Sequence, residues 1–213
     1  RALARRLGVL DVEPPGAHRE LQGVEAVRKV VLVDQAPLGR TSRGNAATYT
    51  KAWDVVRKLF AEEPSAKNHG LSASHFSFNV ALGRCEICAG EGFETVEMQF
   101  LADVRLSCPA CQGKRFKPEV LRIQRNGLHI ADVLNMTIAE AIEHFVESAP
   151  IRRSLSPLVA LGLGYLRLGQ PLTTLSGGEA QRLKLARSLG ERRRGSVWIL
   201  DEPSAGLHPS EID

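Results

Sequence analysis

The sequence predicts an α/β fold with a smaller α+β module inserted into it, and three observations carry that expectation. Two short apolar runs, Val30-Val31-Leu32 and Val197-Trp198-Ile199-Leu200, read as strands, the second of the continuous kind found where a strand is covered on both faces. A Ser176-Gly177-Gly178-Glu179 run opens a helical stretch directly ahead of the second strand. Between the two strands lie all four cysteines, as Cys85-x-x-Cys88 and Cys108-x-x-Cys111.

In chain order, residues 1–45 hold one clear strand, Lys29 to Val33, preceded by a Pro14-Pro15-Gly16 turn. Residues 46–154 read as the insertion. Within it Trp53, Val56, Leu59 and Phe60 mark one face of a helix ending near Pro64. Val96, Met98 and Phe100 alternate with Thr95, Glu97 and Gln99, a period of two that predicts a strand, and Val104 to Leu106 supplies a return strand. Thr137-x-x-Glu140 caps a helix carrying Ile138, Ile142, Phe145 and Val146. These stripes read as core, not as ligand site. Residues 155–213 open with an apolar helix or turn over Leu158 to Gly164 and a Gln170-Pro171-Leu172 loop, then carry the final helix and strand. There is no internal repeat and no low-complexity tract.

The cysteine pairs are separated by 19 residues. That spacing predicts a four-thiolate structural zinc site, with Cys85, Cys88, Cys108 and Cys111 on two tight turns converging on one tetrahedral ion, over a module of about 83–117. Two disulfides are the rival reading, which a cytoplasmic chain with this spacing disfavours, and a redox pair is a third. Gly90, Gly92 and Gly113 follow the pairs and allow φ > 0 where the chain wraps a metal. His69, His75 and His129 lack comparable spacing and read as surface or packing residues.

Chemistry of a second kind surrounds the final helix and strand. Ser176 and Glu179 form a capping box, and Gly177 and Gly178 leave the first-turn amides unshielded, so that helix terminus attracts anions. Leu183, Leu185, Ala186 and Leu189 give the helix an apolar face to about Gly190, with Arg182, Lys184 and Arg187 supplying charge. By itself the run also fits an ordinary capped surface helix. The apolar strand after it ends in Asp201-Glu202, where open α/β sheets place ligand groups. Asp201 suits Mg²⁺, a hard cation, and Glu202 is placed to orient or deprotonate a water. The Asp201-Glu202-Pro203 triplet alone fits a solvated turn equally well. The two runs together, in this order, predict half of an ATPase site. No G-x-x-x-x-G-K-[ST] run occurs to cradle phosphates, and the chain begins at Arg1 without methionine. The expectation is an internal fragment that does not hydrolyse ATP alone.

Leu175-Ser176-Gly177-Gly178-Glu179-Ala180-Gln181-Arg182 and the strand ending in Asp201-Glu202 resemble the signature and Walker B motifs of ABC-type ATPases. The resemblance implies a partial ABC-type ATPase domain, P-loop NTPase-like, with an inserted zinc-binding signature domain. By it, Gln35 falls on a Q-loop reaching Mg²⁺ and the γ-phosphate, and Ser204-Ala205-Gly206-Leu207-His208 on a D-loop. It also implies that Ser176, Gly177, Gly178 and Glu179 contact ATP held by another ATPase domain, that Asp201 serves Mg²⁺ and that Glu202 activates water. The switch histidine would lie past Asp213.

A zinc module ahead of such a signature narrows the resemblance to the C-terminal ATPase half of the UvrA family. Val33-Asp34-Gln35-Ala36-Pro37-Leu38-Gly39-Arg40-Thr41-Ser42-Arg43, Ala47-Thr48-Tyr49-Thr50, Phe76-Ser77-Phe78-Asn79-Val80, Gly83-Arg84-Cys85 and Leu163-Gly164-Tyr165-Leu166-Arg167-Leu168-Gly169-Gln170 carry it. It implies a homodimeric ATPase of nucleotide excision repair that uses ATP, Mg²⁺ and Zn²⁺, binds damaged duplex DNA and delivers it to UvrB. Gly44-Asn45-Ala46-Ala47 departs from the family's S-N-P-A and Ser204-Ala205 from its T-T, which leaves room for a UvrA-like paralogue of the kind associated with drug tolerance. A transporter nucleotide-binding domain would share the signature and Walker B without the four cysteines. A chaperone-type zinc module would share C-x-x-C-x-G-x-G without the half-site.

At 213 residues, 43% hydrophobic and 24% charged, the composition suits one or two compact domains. No apolar stretch approaches the roughly 18 residues of a membrane span and no signal-peptide pattern opens the chain, so a cytoplasmic location without a membrane partner is expected. A net charge of +4 permits nucleic-acid binding. Arg40, Thr41 and Arg43, and Lys114, Arg115 and Lys117, are candidate phosphate contacts, with solvated charged loops as the alternative for each cluster. No recognition-helix motif is present, so damage would be read through bend and deformability. Arg192-Arg193-Arg194 reads as an exposed turn.

Overall fold

The computed structural model describes residues 1–9, 13–34, 36–39, 41–98, 104–190 and 194–202. They form two compact units, one of Arg1–Ala36 with Ser176–Asp213, the other of Pro37–Leu175. The expected boundaries after residues 45 and 154 both fall within the second unit, and the later one cuts a continuous helix.

In the first unit, α1 (Ala2–Arg6) precedes β1 (Lys29–Val33). The second unit begins with α2 (Ala46–Tyr49), α3 (Ala52–Glu62) and α4 (Pro64–Asn68). Asn45 caps α2, accepting from the Thr48 amide at 2.9 Å while the Thr48 hydroxyl oxygen accepts from the Asn45 amide at 3.1 Å. Pro64 does more than end α3. It opens α4 from the first helical position, where its missing N–H costs nothing.

Next come β2 (Phe93–Val96) and β3 (Val104–Ser107), an antiparallel hairpin with Phe93 opposite Ser107 and Val96 opposite Val104. The described strand lies over Phe93–Val96, earlier than the expected run of Thr95 to Phe100, and both faces stay open: Val96, Val104 and Leu106 are exposed, as is Met98 beyond the strand. A two-stranded ribbon has no second layer to cover it. Phe100 lies outside the described residues.

After α5 (Pro118–Leu121), β4 (Gln124–Arg125) and β5 (Leu128–His129) form a short hairpin. Asn126 at φ 50° and Gly127 at φ 80° give the left-handed pair that a tight two-residue turn demands. The helices α6 (Ile130–Asn135), α7 (Ile138–His144) and α8 (Ala149–Ala160) follow. His129 and Thr137 head capping boxes with Asp132 and Glu140, which accounts for His129 structurally. Because α7 stops at His144, Val146 is exposed and not part of the apolar face expected of it.

A 3₁₀ turn at Leu172–Thr174 replaces part of the expected loop and ends the second unit. The chain then returns to the first through α9 (Gly177–Gly190) and β6 (Ser196–Leu200). β6 pairs in parallel with β1, Lys29 opposite Ser196 and Val33 opposite Leu200. Val33 is fully buried, yet Leu32, Ile199 and Leu200 are exposed. The expectation of cover on both faces is therefore not met for β6, because two paired strands bring too little chain to both sides.

The core of the second unit is aromatic at one end and aliphatic at the other. Phe60 packs on Phe76 with ring centroids 5.7 Å apart, and Phe78 lies 5.6 Å from Trp53 and 6.1 Å from Phe116. Ile138, Ile151, Leu155, Leu158, Leu163 and Leu166 are buried where α7, α8 and the following loop meet. Among the described residues no helix is long and apolar enough to cross a membrane.

Phe78 joins α3 to the cysteine module. Phe78→Ala should cost about 3–5 kcal/mol. Denaturant unfolding should show it, and a loss within 0.5 kcal/mol, the ordinary surface range, would deny Phe78 that joining role.

Candidate functional site

The four sulfur atoms converge. All lie within 4.8 Å of one another, and every cysteine is buried and free of disulfide bonding. Cys85 Sγ is 4.0 Å from Cys108 Sγ, and Cys88 Sγ is 3.6 Å from Cys111 Sγ. A disulfide needs about 2.05 Å. A tetrahedron built on zinc–sulfur bonds of about 2.3 Å has edges of about 3.8 Å, which the two separations bracket. The donor set can hold one metal ion and matches zinc.

The two cysteine turns are near copies of each other, tied crosswise. The Cys108 amide donates to Gly92 O at 3.0 Å and the Cys85 amide to Arg115 O at 2.8 Å. Inside each turn, the fourth residue after the second cysteine donates its amide to that sulfur, Gly92 to Cys88 at 3.2 Å and Arg115 to Cys111 at 3.4 Å. Gly90, at φ 86°, must be glycine, since a Cβ there would lie 1.9 Å from Phe78 O. Gly92, at φ 82°, is constrained less tightly, a Cβ there lying 2.8 Å from Gly113 O and 3.0 Å from the Arg115 side chain.

Burial pushes the Cys88 thiol up and drives the Cys111 thiol to about 12. Without a cation these thiols hold their protons at neutral pH, so metal loading must release protons and weaken as pH falls.

The second candidate site lies wholly in the first unit. Ser176 caps α9: its Oγ accepts from the Glu179 amide at 3.2 Å, and its own amide donates to Glu179 Oε2 at 2.7 Å. Gly177 is exposed and Gly178 half-buried at the first turn. Past the strand ends, the Asp201 amide donates to Val33 O at 3.1 Å, extending the parallel ladder by one bond. Asp201 and Glu202 are both exposed, Glu202 with a left-handed backbone at φ 46°. Gln35 and the segment from 203 onward, including Ser204 to His208, lie outside the described residues.

Two side chains of α9 that sequence reasoning passed over hold this edge together. Gln181, buried within the unit, donates its amide to Val33 O at 3.4 Å and to Asp201 O, clamping both strand ends. Lys184 donates to Asp34 Oδ1 at 2.5 Å, Asp34 O at 3.1 Å and Ala36 O at 2.7 Å. The Lys184 ammonium holds the Asp34 carboxyl below its ordinary 3.8. Their positions one helical turn apart, facing the strands, were the available signal.

The expected basic contacts separate. Arg40 lies outside the described residues. Arg43 is half-buried with Nε 3.9 Å from Glu91 Oε1. Lys114 is exposed, and Lys117 pairs with Glu86 at 2.7 Å. Arg115 is drawn inward: Nη2 donates to Gly169 O at 3.1 Å and its guanidinium stands 5.6 Å over the Phe78 ring.

This arrangement has a solved counterpart. The crystal structure of UvrA2 from Deinococcus radiodurans matches 89% of the chain with a TM-score of 0.85 and 52% identity, the match covering 24% of that protein. UvrABC system protein A from Listeria monocytogenes serotype 4b is 51% identical over all 213 residues, and that from Methanothermobacter thermautotrophicus is 50% identical over 198 residues, 92% of the chain. No family model matches. Identity at this level along the whole chain extends well past a shared α/β framework. The chain belongs to the UvrA family. It spans 22% and 21% of the length of those two relatives.

Two measurements follow from the geometry. Purified protein should carry about one zinc per chain, take it up with proton release, and bind it more weakly at about pH 6 than at about pH 8. Pairwise oxidation of the thiols with no bound metal would refute the centre. For Asp34 the folded value is depressed, so its contribution is present above 3.8 and is lost as pH falls through the folded value. Lys184→Met should return the Asp34 titration toward 3.8, read by carboxyl NMR; an unmoved titration would remove Lys184 as the cause.

Proposed function

We propose that this chain supplies an ABC-type half-site and a zinc module to a UvrA-type ATPase of nucleotide excision repair. One observation carries the reading: the capped, glycine-exposing terminus of α9 belongs to the same helix whose Gln181 clamps the ends of β1 and β6, just where Asp201-Glu202 emerges. Phosphate chemistry needs those parts in one rigid piece.

In this reading Ser176, Gly177, Gly178 and Glu179 face the γ-phosphate end of ATP bound by another ATPase domain. Unshielded first-turn amides and the positive end of a helix suit that charge. Asp201 and Gln35 would be the residues that hold Mg²⁺, which would supply charge neutralisation at the phosphate oxygens. Glu202 orients the attacking water and accepts its proton. The phosphate-cradling loop and lysine would come from sequence outside these 213 residues. The zinc-bearing unit would engage damaged duplex DNA, with Arg40, Arg43, Lys114 and Arg115 as candidate contacts. Homodimerisation, delivery to UvrB and a cytoplasmic location complete the proposal. The nearly equal identities to UvrABC system protein A and to UvrA2, 51% and 52%, favour a repair protein and a UvrA-like paralogue alike.

In a UvrA-length protein carrying this segment, Glu202→Gln should retain ATP binding while hydrolysis falls by about 10²-fold or more. Turnover at the unmodified rate would exclude Glu202 as the water-activating residue. Arg43→Ala should weaken duplex binding and lower its salt dependence by up to about one unit of slope. An unchanged slope would return Arg43 to its ion pair with Glu91 alone.

A further inference from the structure

The two cysteine turns follow the same backbone course, with Ala89 and Gln112 at φ 48° and 50° and Gly90 and Gly113 at φ 86° and 81°, and at their last position one carries glycine and the other arginine. The first reads Cys88-Ala89-Gly90-Glu91-Gly92 and the second Cys111-Gln112-Gly113-Lys114-Arg115. Gly92 and Arg115 occupy equivalent places: each donates its amide to the sulfur four residues earlier and each accepts, through its carbonyl, from the first cysteine of the other turn. Both backbones are left-handed, at φ 82° and φ 71°. Glycine takes that conformation freely, while a non-glycine residue in a sparsely populated region costs on the order of 1 kcal/mol or more. The second turn therefore bears backbone strain to carry an arginine, and such local exceptions mark positions where the side chain is needed.

That side chain lines a cavity of about 270 Å³ together with Lys114, Asn135, Arg167, Gly169 and Gln170. Three cations meet there, and no carboxylate lines the cavity. Arg115 is held by Gly169 O and the Phe78 ring, but its Nη1 is buried with no hydrogen-bond partner. An unpartnered buried donor on a guanidinium is costly, so its persistence calls for an acceptor. Arg167 is oriented by donating Nη1 to Asn135 O at 2.5 Å. Its neighbouring acid, Glu140, is already engaged by the Thr137 amide at 2.8 Å. Lys114 has no ion-pair partner among the described residues and can turn inward.

We propose that this cavity is a phosphate-binding pocket, in which Arg115, Arg167 and Lys114 jointly take one phosphate group. A planar guanidinium presents paired donors to phosphate oxygens, and a lysine adds a mobile point charge. The strained Arg115 is the anchor, oriented by the turn that also holds Cys111. The source favoured by the proposed function is a backbone phosphate of duplex DNA, and the pocket rests on that reading only for its source. Free phosphate or pyrophosphate would satisfy the same donors.

The test uses the zinc-loaded, UvrA-length protein with Lys114→Ala, whose exposed side chain makes no described contact, and Arg167→Gln as a second variant; zinc content verifies the fold. If the pocket takes a DNA phosphate, each variant should bind duplex more weakly and flatten the log K against log salt plot by about 0.9. If it takes free phosphate, duplex binding should be unchanged while thermal stabilisation by pyrophosphate is lost in both variants. Duplex binding and pyrophosphate stabilisation both identical to the unmodified protein would overturn the pocket and leave the DNA-binding reading standing. A protein that fails to bind duplex, yet shows stabilisation by pyrophosphate that both variants abolish, would do the reverse.

Discussion

The convergence of four sulfur atoms is the constraint on which the cysteine module depends. Its hairpin, β2 with β3, exposes nearly every residue and so buries little apolar surface. What holds it is the pair of crossed backbone bonds, Cys108 to Gly92 and Cys85 to Arg115, together with whatever joins the sulfurs. The Cys88 and Cys111 thiols, pushed up by burial, contribute little attraction of their own. A divalent cation would turn the same four groups into the strongest contacts in the module. Phe78 then transmits that order to the rest of the second unit, because it touches Trp53 and Phe116 by its ring and Gly90 by its carbonyl.

A comparable economy governs the first unit. One helix, α9, supplies the cap at its start, the Gln181 clamp a turn later and the Lys184 tether to Asp34. Two strands alone make a weak sheet. Clamping their ends from a single helix sets where Asp201 and Glu202 leave the sheet relative to Ser176 and the two glycines. Catalysis by positioned charge depends on such fixed relations more than on any one residue.

Features governed by short-range rules were legible in the sequence. Capping boxes at Thr137 and Ser176, the α3 stripe of Trp53, Val56 and Phe60, the hairpin between the cysteine pairs and the pairs themselves all obey local spacing. The helix α8 was legible only in its last turn, where the apolar run from Leu158 begins. The Asn126-Gly127 hairpin escaped because its strands are two residues each. Arg115 was read as an open phosphate contact, since nothing in a run of basic residues reveals that one of them turns inward.

By itself the sequence determined the four-cysteine donor set, the helix starts and the order of chemical groups along the chain. Each depends on residues a few positions apart, where backbone geometry leaves little choice. Tertiary structure alone decided that β6 lies half open, that Gln181 and Lys184 bind the strand ends, and that Arg115 takes a glycine's place beside Arg167. Those outcomes join residues about 20 to 150 positions apart, and only packing brings such distant groups within the reach of a hydrogen bond.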